Sequence, residues 1–202
     1  MLASGGMRIP IPAAVLAGGA SRRMGRSKAA LPYGSGTLLE FQTARLAGIF
    51  EEVFVVAKEP PSFAAGPAGI LLDGAPDHAA IHGLVRAIEE STDRVFVLGV
   101  DLPALPEALI REIARRGIAS PAAAVVPRAG GRLQPLAAVW RRAALTAAAE
   151  NLAAGELALH ALVEAVGAEI LEENEWRALD PSGNAFVNLN TLEQYAALRE
   201  RA

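Results

Sequence analysis

Glycine, serine and basic residues are concentrated in one stretch of an otherwise apolar sequence, VLAGGASRRMGRSK, residues 15–28. Gly18 and Gly19 have no Cβ atom, so a ligand can approach the backbone N–H groups there closely. Such amides bind phosphate oxygens, and Arg23 and Lys28 add full positive charges. The stretch is therefore predicted to bind a small phosphorylated ligand; the alternative is an ordinary glycine turn with solvated arginines.

The spacing of these glycines separates the loop from two common nucleotide motifs. Glycines at positions 18, 19 and 25 do not form the G-x-G-x-x-G fingerprint of dinucleotide-binding proteins. The Gly-Lys-Ser/Thr sequence of a P-loop is also missing.

Asp101 is a second residue that can do chemistry, because it directly follows the apolar run 94–100. A carboxylate at the end of a buried strand needs a compensating partner, although an aspartate ahead of Pro103 is also typical of a turn. His78 and His82 have the spacing of two metal ligands on one helix face, but no third ligand or His-Glu-x-x-His motif accompanies them. Capping or surface roles are predicted for both histidines.

The elements that must position these residues alternate between strands and helices. Strands are predicted over 11–17, 52–57, 69–73 and 94–100, and helices over 37–50, 79–92 and 106–117. The first helix begins with a capping box, Thr37 and Glu40. This alternation predicts a parallel sheet covered by helices on both faces. In such sheets ligands bind beyond the carboxyl ends of the strands, which is where the glycine-rich loop falls.

The second half predicts two further strands over 122–127 and 133–140, joined by a turn at Gly130 and Gly131. Helices are predicted over 141–152 and 156–166. The closing segment predicts a strand from 185 that ends in Asn188 and Asn190, then a helix capped by Asn190 or Thr191. We expect a single domain over residues 1–202, with residues 1–10 as a flexible N-terminal extension.

The overall composition excludes several classes of function. The 202 residues include no cysteine, which rules out thiolate metal sites and disulfides. A net charge of −3 and an aromatic content of 5% argue against nucleic acid as a partner. No apolar stretch reaches the roughly 18 residues of a membrane span, and Pro10 and Pro12 interrupt the N-terminal apolar stretch. A cytoplasmic protein with no membrane partner is expected, and its oligomeric state stays open.

The stretch LAGGASRRMGRSK, residues 16–28, resembles the signature L-A-G-G-x-S-x-R-M-G-x-x-K of the molybdenum cofactor guanylyltransferase family. The resemblance implies a Rossmann-like three-layer nucleotidyltransferase fold, in which the loop wraps a nucleoside triphosphate and Arg23 and Lys28 act on its phosphates. VDLPALP, residues 100–106, resembles the family's aspartate–proline motif, which implies that Asp101 is a catalytic Mg²⁺ ligand. The nucleotide-binding residues implied in this way are Leu16, Ala17, Gly18, Gly19, Arg23, Lys28, Asp73, Gly83 and Asp101.

Two further motifs imply an acceptor site. GRLQP resembles the family's (H/Q)-P pair, and FVNLNT its N-x-N-T ending, which implies that Gln134, Asn188 and Asn190 face the acceptor; helix capping is the alternative for the asparagines. The sequence departs from the family pattern at three places. AAIHG stands where G-P-L-A-G is common, Ala57-Lys58 where an asparagine is common, and GELALH lacks a basic residue.

The implied reaction transfers GMP from GTP to molybdopterin and releases pyrophosphate, with Mg²⁺ as cofactor. A phosphomonoester is largely dianionic near neutral pH, since its second pKa is about 6, so the nucleophile needs no general base. The alternatives are CTP as the nucleotide, a sugar phosphate or another phosphorylated metabolite as the acceptor, or a non-catalytic nucleotide-binding module.

Overall fold

A computed structural model describes residues 7–18, 27–189 and 194–195 of the protein. Seven strands follow one another across the main sheet in the order β10-β7-β9-β6-β1-β4-β5, an eighth, β8, pairs with β7, and β2 and β3 form a separate hairpin. The strands are β1 Ala13–Leu16, β2 Pro32–Tyr33, β3 Gly36–Thr37, β4 Val53–Ala57, β5 Gly69–Leu72, β6 Arg94–Gly99, β7 Ala124–Ala129, β8 Arg132–Leu133, β9 Ala137–Arg141 and β10 Glu169–Leu171.

The sheet is mostly parallel, as the alternation of elements predicts. Strands β6, β1, β4 and β5 run parallel to their neighbours in this group, while β9 runs antiparallel to both β6 and β7. The predicted turn at Gly130 and Gly131 is confirmed, since both have positive φ and join β7 to β8.

Helices cover both faces of the sheet. Alternate residues of β1 point to opposite faces: Ala13 and Val15 pack in one apolar cluster, Ala14 and Leu16 in the other. Helices α1, α3 and α6 contribute buried side chains to the first cluster, and α2, α4 and α5 to the second. The helices are α1 Leu38–Ala47, α2 Ala80–Glu90, α3 Glu107–Ala119, α4 Leu145–Ala153, α5 Leu159–Ala165 and α6 Glu173–Trp176.

Helix α1 begins where its sequence predicts. The Thr37 hydroxyl accepts a hydrogen bond from the Glu40 N–H, and the Glu40 carboxylate accepts one from the Thr37 N–H, so the predicted capping box is present. The helix lies against the sheet with Leu38, Leu39 and Leu46 buried.

The predicted strand that begins at residue 185 is wrong over its described part. Ala185 and Phe186 lie in a turn, and residues 187–189 form no strand. The buried Asp180 carboxylate explains the difference, because it accepts hydrogen bonds from the backbone N–H groups of Gly183 and Ala185 and so folds the chain into a loop. The predicted strand 133–140 is also interrupted, since residues 134–136 separate β8 from β9.

Two other features concern the ends and the surface of the molecule. Ile9, within the stretch predicted to be an N-terminal extension, forms a parallel bridge with Phe50 and donates its N–H to the Ile49 carbonyl at 2.8 Å. Within the described ranges, we find no helix whose length and apolar character would allow it to cross a bilayer.

Candidate functional site

The carboxyl ends of four parallel strands meet at one edge of the sheet. In the order β6-β1-β4-β5, the residues just beyond these ends are Asp101, Gly18, Lys58 and Asp73, respectively. Three of the four belong to the predicted nucleotide site. Gly18 and Asp101, which are 83 positions apart in the sequence, are therefore brought together by strand order.

Lys28 and Asp101 form an ion pair at the β6–β1 end of this edge. Lys28 Nζ lies 2.9 Å from Asp101 Oδ2 although the two residues are 73 positions apart in the sequence. The two side chains are 17% and 26% exposed, respectively. Solvent, and hence a ligand, can therefore reach both charges.

Helix α1 and the C-terminal segment hold the backbone around Asp101. The buried Gln42 amide donates to the Val100 carbonyl at 3.2 Å, and the Leu189 N–H donates to the Asp101 carbonyl at 2.9 Å. Arg45 Nη1 donates to the carbonyls of Pro103 at 3.1 Å and Leu105 at 2.7 Å. The chain on both sides of Asp101 is thereby fixed.

Gln42 and Arg45 were not predicted from the sequence to be part of the site. Burial lowers the pKa of Arg45 to about 10, so the guanidinium remains charged at neutral pH. The sequence does carry one sign of their role. Gln42 and Arg45 lie near the apolar stripe of α1, where a polar side chain needs a partner inside the protein.

Gly99 provides the space that the Asp101 carboxylate occupies. A Cβ atom on Gly99 would lie 2.9 Å from Asp101 Oδ1 and 3.5 Å from Leu136 Cβ. The first distance is shorter than a nonbonded contact allows. A side chain at position 99 would therefore displace the carboxylate.

A second ion pair lies at the β4–β5 end of the edge. Lys58 Nζ is 3.1 Å from Asp73 Oδ1 and donates to the Ala75 carbonyl at 2.5 Å, while the Ala75 N–H donates to Asp73 Oδ1 at 3.0 Å. The Asp73 side chain is only 5% exposed. Gly18 adjoins the pair, because a Cβ atom there would lie 3.7 Å from both Asp73 Oδ2 and the Lys58 backbone nitrogen.

The two histidines near this pair do not form a metal site with each other. Asp77 Oδ1 accepts the Ala79 N–H at 2.7 Å, and Asp77 Oδ2 lies 3.2 Å from His82 Nε2. The Ala79 N–H, and to a smaller extent His82, lower the pKa of Asp77. His78 Nδ1 instead lies 3.4 Å from the Gly18 carbonyl. Across the described ranges, no three metal-ligating side chains are grouped together.

Other predicted nucleotide residues contribute backbone and packing. Ala17 donates its N–H to the Val56 carbonyl at 2.9 Å, and Leu16 is largely buried. Gly83 is buried in α2, where a Cβ atom would lie 3.6 Å from the Leu16 methyl groups. Its position brings α2 close to β1.

Gln134 and Asn188, two of the predicted acceptor residues, line one cleft of about 390 Å³. The cleft also has Arg132, Arg177 and the buried Asp180 in its wall. The cleft adjoins the end of β6, the Asp101 corner of the sheet. The Gly99 N–H donates to the Leu136 carbonyl and the Leu189 N–H to the Asp101 carbonyl, so the segments that carry Gln134 and Asn188 are both bonded to this corner. Gly19, Arg23 and Asn190, which the sequence also predicts to be site residues, lie outside the described residues.

Comparison with known proteins gives consistent results. The chain matches the family model of the MobA-like NTP transferase domain over residues 13–170. It is 29% identical to the molybdenum cofactor guanylyltransferase of Syntrophotalea carbinolica, covering 94% of this chain and 90% of the relative. It is 37% identical to the probable molybdenum cofactor guanylyltransferase of Mycobacterium tuberculosis, covering 78% of this chain and 81% of the relative.

A solved structure supports the same fold. The structure of molybdopterin-guanine dinucleotide biosynthesis protein A from Archaeoglobus fulgidus superimposes with a TM-score of 0.81 and 18% identity, covering 94% of this chain and 97% of that one. The predicted nucleotidyltransferase fold is thereby confirmed. The chain belongs to the family of MobA-like NTP transferase domains.

Proposed function

We propose that this protein transfers GMP from GTP to the phosphate of molybdopterin and releases pyrophosphate. The observation that carries the proposal is the Lys28–Asp101 pair, which lies at the carboxyl edge of the sheet beside the end of β1. The names of the curated relatives support GTP and molybdopterin as the substrates. The single domain predicted over 1–202 would carry the whole reaction.

The donor set around Asp101 fits Mg²⁺. This ion prefers oxygen ligands and usually combines one or two carboxylates with substrate phosphates and water. Asp101 supplies one such carboxylate and is partly exposed. When bound there, Mg²⁺ would neutralise charge on the phosphate oxygens.

The chemistry requires alignment and charge neutralisation more than proton transfer. An oxygen of the acceptor phosphate forms a bond to the α-phosphorus of GTP, and the bond from that phosphorus to the bridging oxygen of the β-phosphate breaks. The electron pair leaves with pyrophosphate. Lys28 would hold the phosphates from one side through its ammonium group, and Arg23 would add a second cation. Gly18 and Gly19 would let backbone N–H groups approach the nucleotide.

The order of the strands supports a linear arrangement of the two substrates. The acceptor cleft with Gln134 and Asn188 lies on the β9 side of Asp101, whereas Gly18 and Asp73 lie on its other side. The two reacting phosphates would thus meet at Asp101. Asn190 would extend the acceptor site.

Thermal unfolding with GTP, CTP, ATP and UTP, each with and without Mg²⁺, tests the nucleotide. A ligand at about 100 times its Kd adds about 2.7 kcal/mol, which for this size is a shift of roughly 5–10 °C. We expect this shift with GTP and Mg²⁺, followed by pyrophosphate release when molybdopterin is added. A shift with CTP instead would indicate cytidylyl transfer, and turnover with a sugar phosphate but not molybdopterin would indicate the alternative acceptor. No shift with any triphosphate at millimolar concentration would contradict the proposal.

A further inference from the structure

We propose that Lys58 sets the selectivity of this site for guanine by holding the Asp73 carboxylate in one orientation. Lys58 acts through Asp73 and is therefore a positioning residue. The inference rests on the proposed function, because it needs a guanine nucleotide in the site.

The position of the pair at the edge of the sheet assigns it to the base of the nucleotide. Neighbouring strands are about 4.8 Å apart, and β5 is the third strand from β6, so Asp73 lies roughly 14 Å from the Asp101 corner. If the triphosphate lies between β6 and β1, the far end of the nucleotide extends towards β4 and β5. That end carries the base.

One ion pair and two hydrogen bonds link Lys58, Asp73 and Ala75 and fix the carboxylate. Lys58 Nζ contacts both Asp73 Oδ1 and the Ala75 carbonyl, and the Ala75 N–H returns to Asp73 Oδ1. Both contacts that Asp73 makes here use Oδ1, and Oδ2 is the Asp73 oxygen nearest Gly18. No donor among the described residues reaches Oδ2, so this oxygen is available to a ligand beside Gly18.

The chemistry of the bases explains why this orientation favours guanine. Guanine presents two adjacent donors, the N1–H and the 2-amino group, whereas the corresponding edge of cytosine presents acceptors at N3 and O2. A carboxylate oxygen accepts hydrogen bonds from the guanine donors, whereas it repels the cytosine acceptors. A site built around a buried hydrogen-bonding group discriminates strongly between ligands that can and cannot bond to it. Only 5% of the Asp73 side chain is exposed.

The departure of this sequence from the family pattern at 57–58 therefore has a structural consequence. A lysine at position 58 supplies a charge that a neighbouring carboxylate requires once it is buried. Without the ammonium group, Asp73 would lose its strongest partner and turn towards solvent or another donor. The free oxygen would then no longer be held beside Gly18.

The test measures equilibrium binding of three probes in the presence of Mg²⁺: GTP, inosine triphosphate and inorganic tripolyphosphate. Inosine triphosphate lacks only the 2-amino group, and tripolyphosphate has no base. The variants are K58M, K58R, D73N and the double variant K58M/D73N. R86M is the matched control, because it removes the cation of the Arg86–Glu90 ion pair on the surface of α2.

We expect K58M to weaken GTP binding by roughly 10- to 100-fold, the usual effect of losing a hydrogen bond to a charged group. The preference for GTP over inosine triphosphate should fall towards 1, while tripolyphosphate affinity should change by less than about 3-fold, because Lys58 shares no partner with the proposed phosphate site and sites without shared partners couple weakly. K58R should retain most of the preference, and R86M all of it. In the D73N background, K58M should have no further effect, because both changes remove the same interaction.

Three results would overturn the assignment of Lys58. The first is an unchanged preference for GTP over inosine triphosphate in K58M. The second is an equal loss of tripolyphosphate affinity in K58M, which would make Lys58 a phosphate ligand. The third is that the effects of K58M and D73N on GTP binding add in the double variant. If K58M does not fold, the comparison of D73N with K58M/D73N decides, since the double variant leaves no unpaired charge. A wild-type protein that binds neither GTP nor tripolyphosphate would instead contradict the proposed function itself.

Discussion

Two lysine–aspartate pairs stand at the same edge of the sheet, and their distances are nearly equal: 2.9 Å for Lys28–Asp101 and 3.1 Å for Lys58–Asp73. Their surroundings differ. The Asp101 side chain is 26% exposed and that of Asp73 5% exposed. A partly exposed pair can exchange its lysine for a ligand at little cost, whereas separating a buried pair leaves an uncompensated charge. The first pair is therefore suited to changing partners during a reaction, and the second to recognising a fixed shape.

The largest expected effect on turnover comes from the partly exposed Lys28–Asp101 pair. Asp101→Asn should lower turnover by about 1000-fold, because it removes the carboxylate proposed to bind Mg²⁺, and a metal supplies several kcal/mol of charge stabilisation. Pyrophosphate release measures this effect. The preference for GTP over inosine triphosphate should not change. Asp93→Asn is the control, since Asp93 pairs with arginines away from this edge; similar losses in both variants would remove the special role of Asp101.

Exchanging the lysines one at a time separates the two pairs. Lys28→Ala should reduce turnover by about 100-fold, as the loss of one preorganised charge contact does, with a stability change of about 1 kcal/mol or less. Lys58→Met should cost about 3 kcal/mol of stability, because it leaves Asp73 buried without its cation. Turnover at saturating GTP should remain within several-fold of wild type. Measurements of thermal unfolding and kcat on both variants test whether Lys28→Ala mainly lowers turnover and Lys58→Met mainly lowers stability. Intact turnover in Lys28→Ala would refute the assignment of the loop.

A smaller effect should follow from filling the space beside Asp101. Gly99→Ala should lower kcat by roughly 10-fold or more, since small displacements of a reacting group carry large penalties. Gly69→Ala is the matched strand control, because a Cβ atom on Gly69 would meet nothing within 4 Å. Steady-state rates of the two variants give the answer. If Gly99→Ala and Gly69→Ala are equally active, Gly99 has no part in placing the carboxylate.

The smallest effect should come from the loop that leads to Leu189. Burial by itself would raise the pKa of Asp180, but hydrogen bonds from Ser182 and from the N–H groups of Ala185 and Gly183 bring it below its usual value. Asp180→Ala should therefore cost about 2 kcal/mol at pH 7 and lower turnover a few-fold. It should leave base preference unchanged.

The pH dependence of Asp180 follows from the direction of its pKa shift. A depressed pKa stabilises the folded protein above the unfolded pKa, and this contribution disappears as pH falls through the folded value. The difference in unfolding temperature between wild type and Asp180→Ala should thus be constant from pH 7 to 5 and narrow below about pH 4. A difference that widens in acid would contradict this account.

Local pattern was sufficient to predict most of the fold. The capping box at Thr37 and Glu40 and the buried strands were found from residue types and spacing because these features depend on neighbours in sequence. The strand predicted from residue 185 failed for the opposite reason: the groups that decide its conformation include the Asp180 carboxylate, which lies outside the segment.

The site was predictable one residue at a time but not as pairs. Lys28 and Asp101 could each be predicted from the sequence, yet nothing between these two residues, which are 73 positions apart, indicates that they are in contact. The sequence shows Lys58 only as a departure from the family pattern. Its role could not be predicted, because its partner Asp73 follows the neighbouring strand β5. Such pairings depend on strand order, which periodicity does not encode.

The hydrogen bond from the Leu189 N–H to the Asp101 carbonyl has a consequence for biosynthesis. A chain emerges from its N-terminus and begins to fold before it is complete, so β1, β4, β5 and β6 can assemble long before residue 189 has been made. Residue 189 also lies beyond the family match, which ends at residue 170. A nascent chain can thus carry every strand of the nucleotide edge before residue 189 has been made, and the backbone at Asp101 gains this hydrogen bond only afterwards.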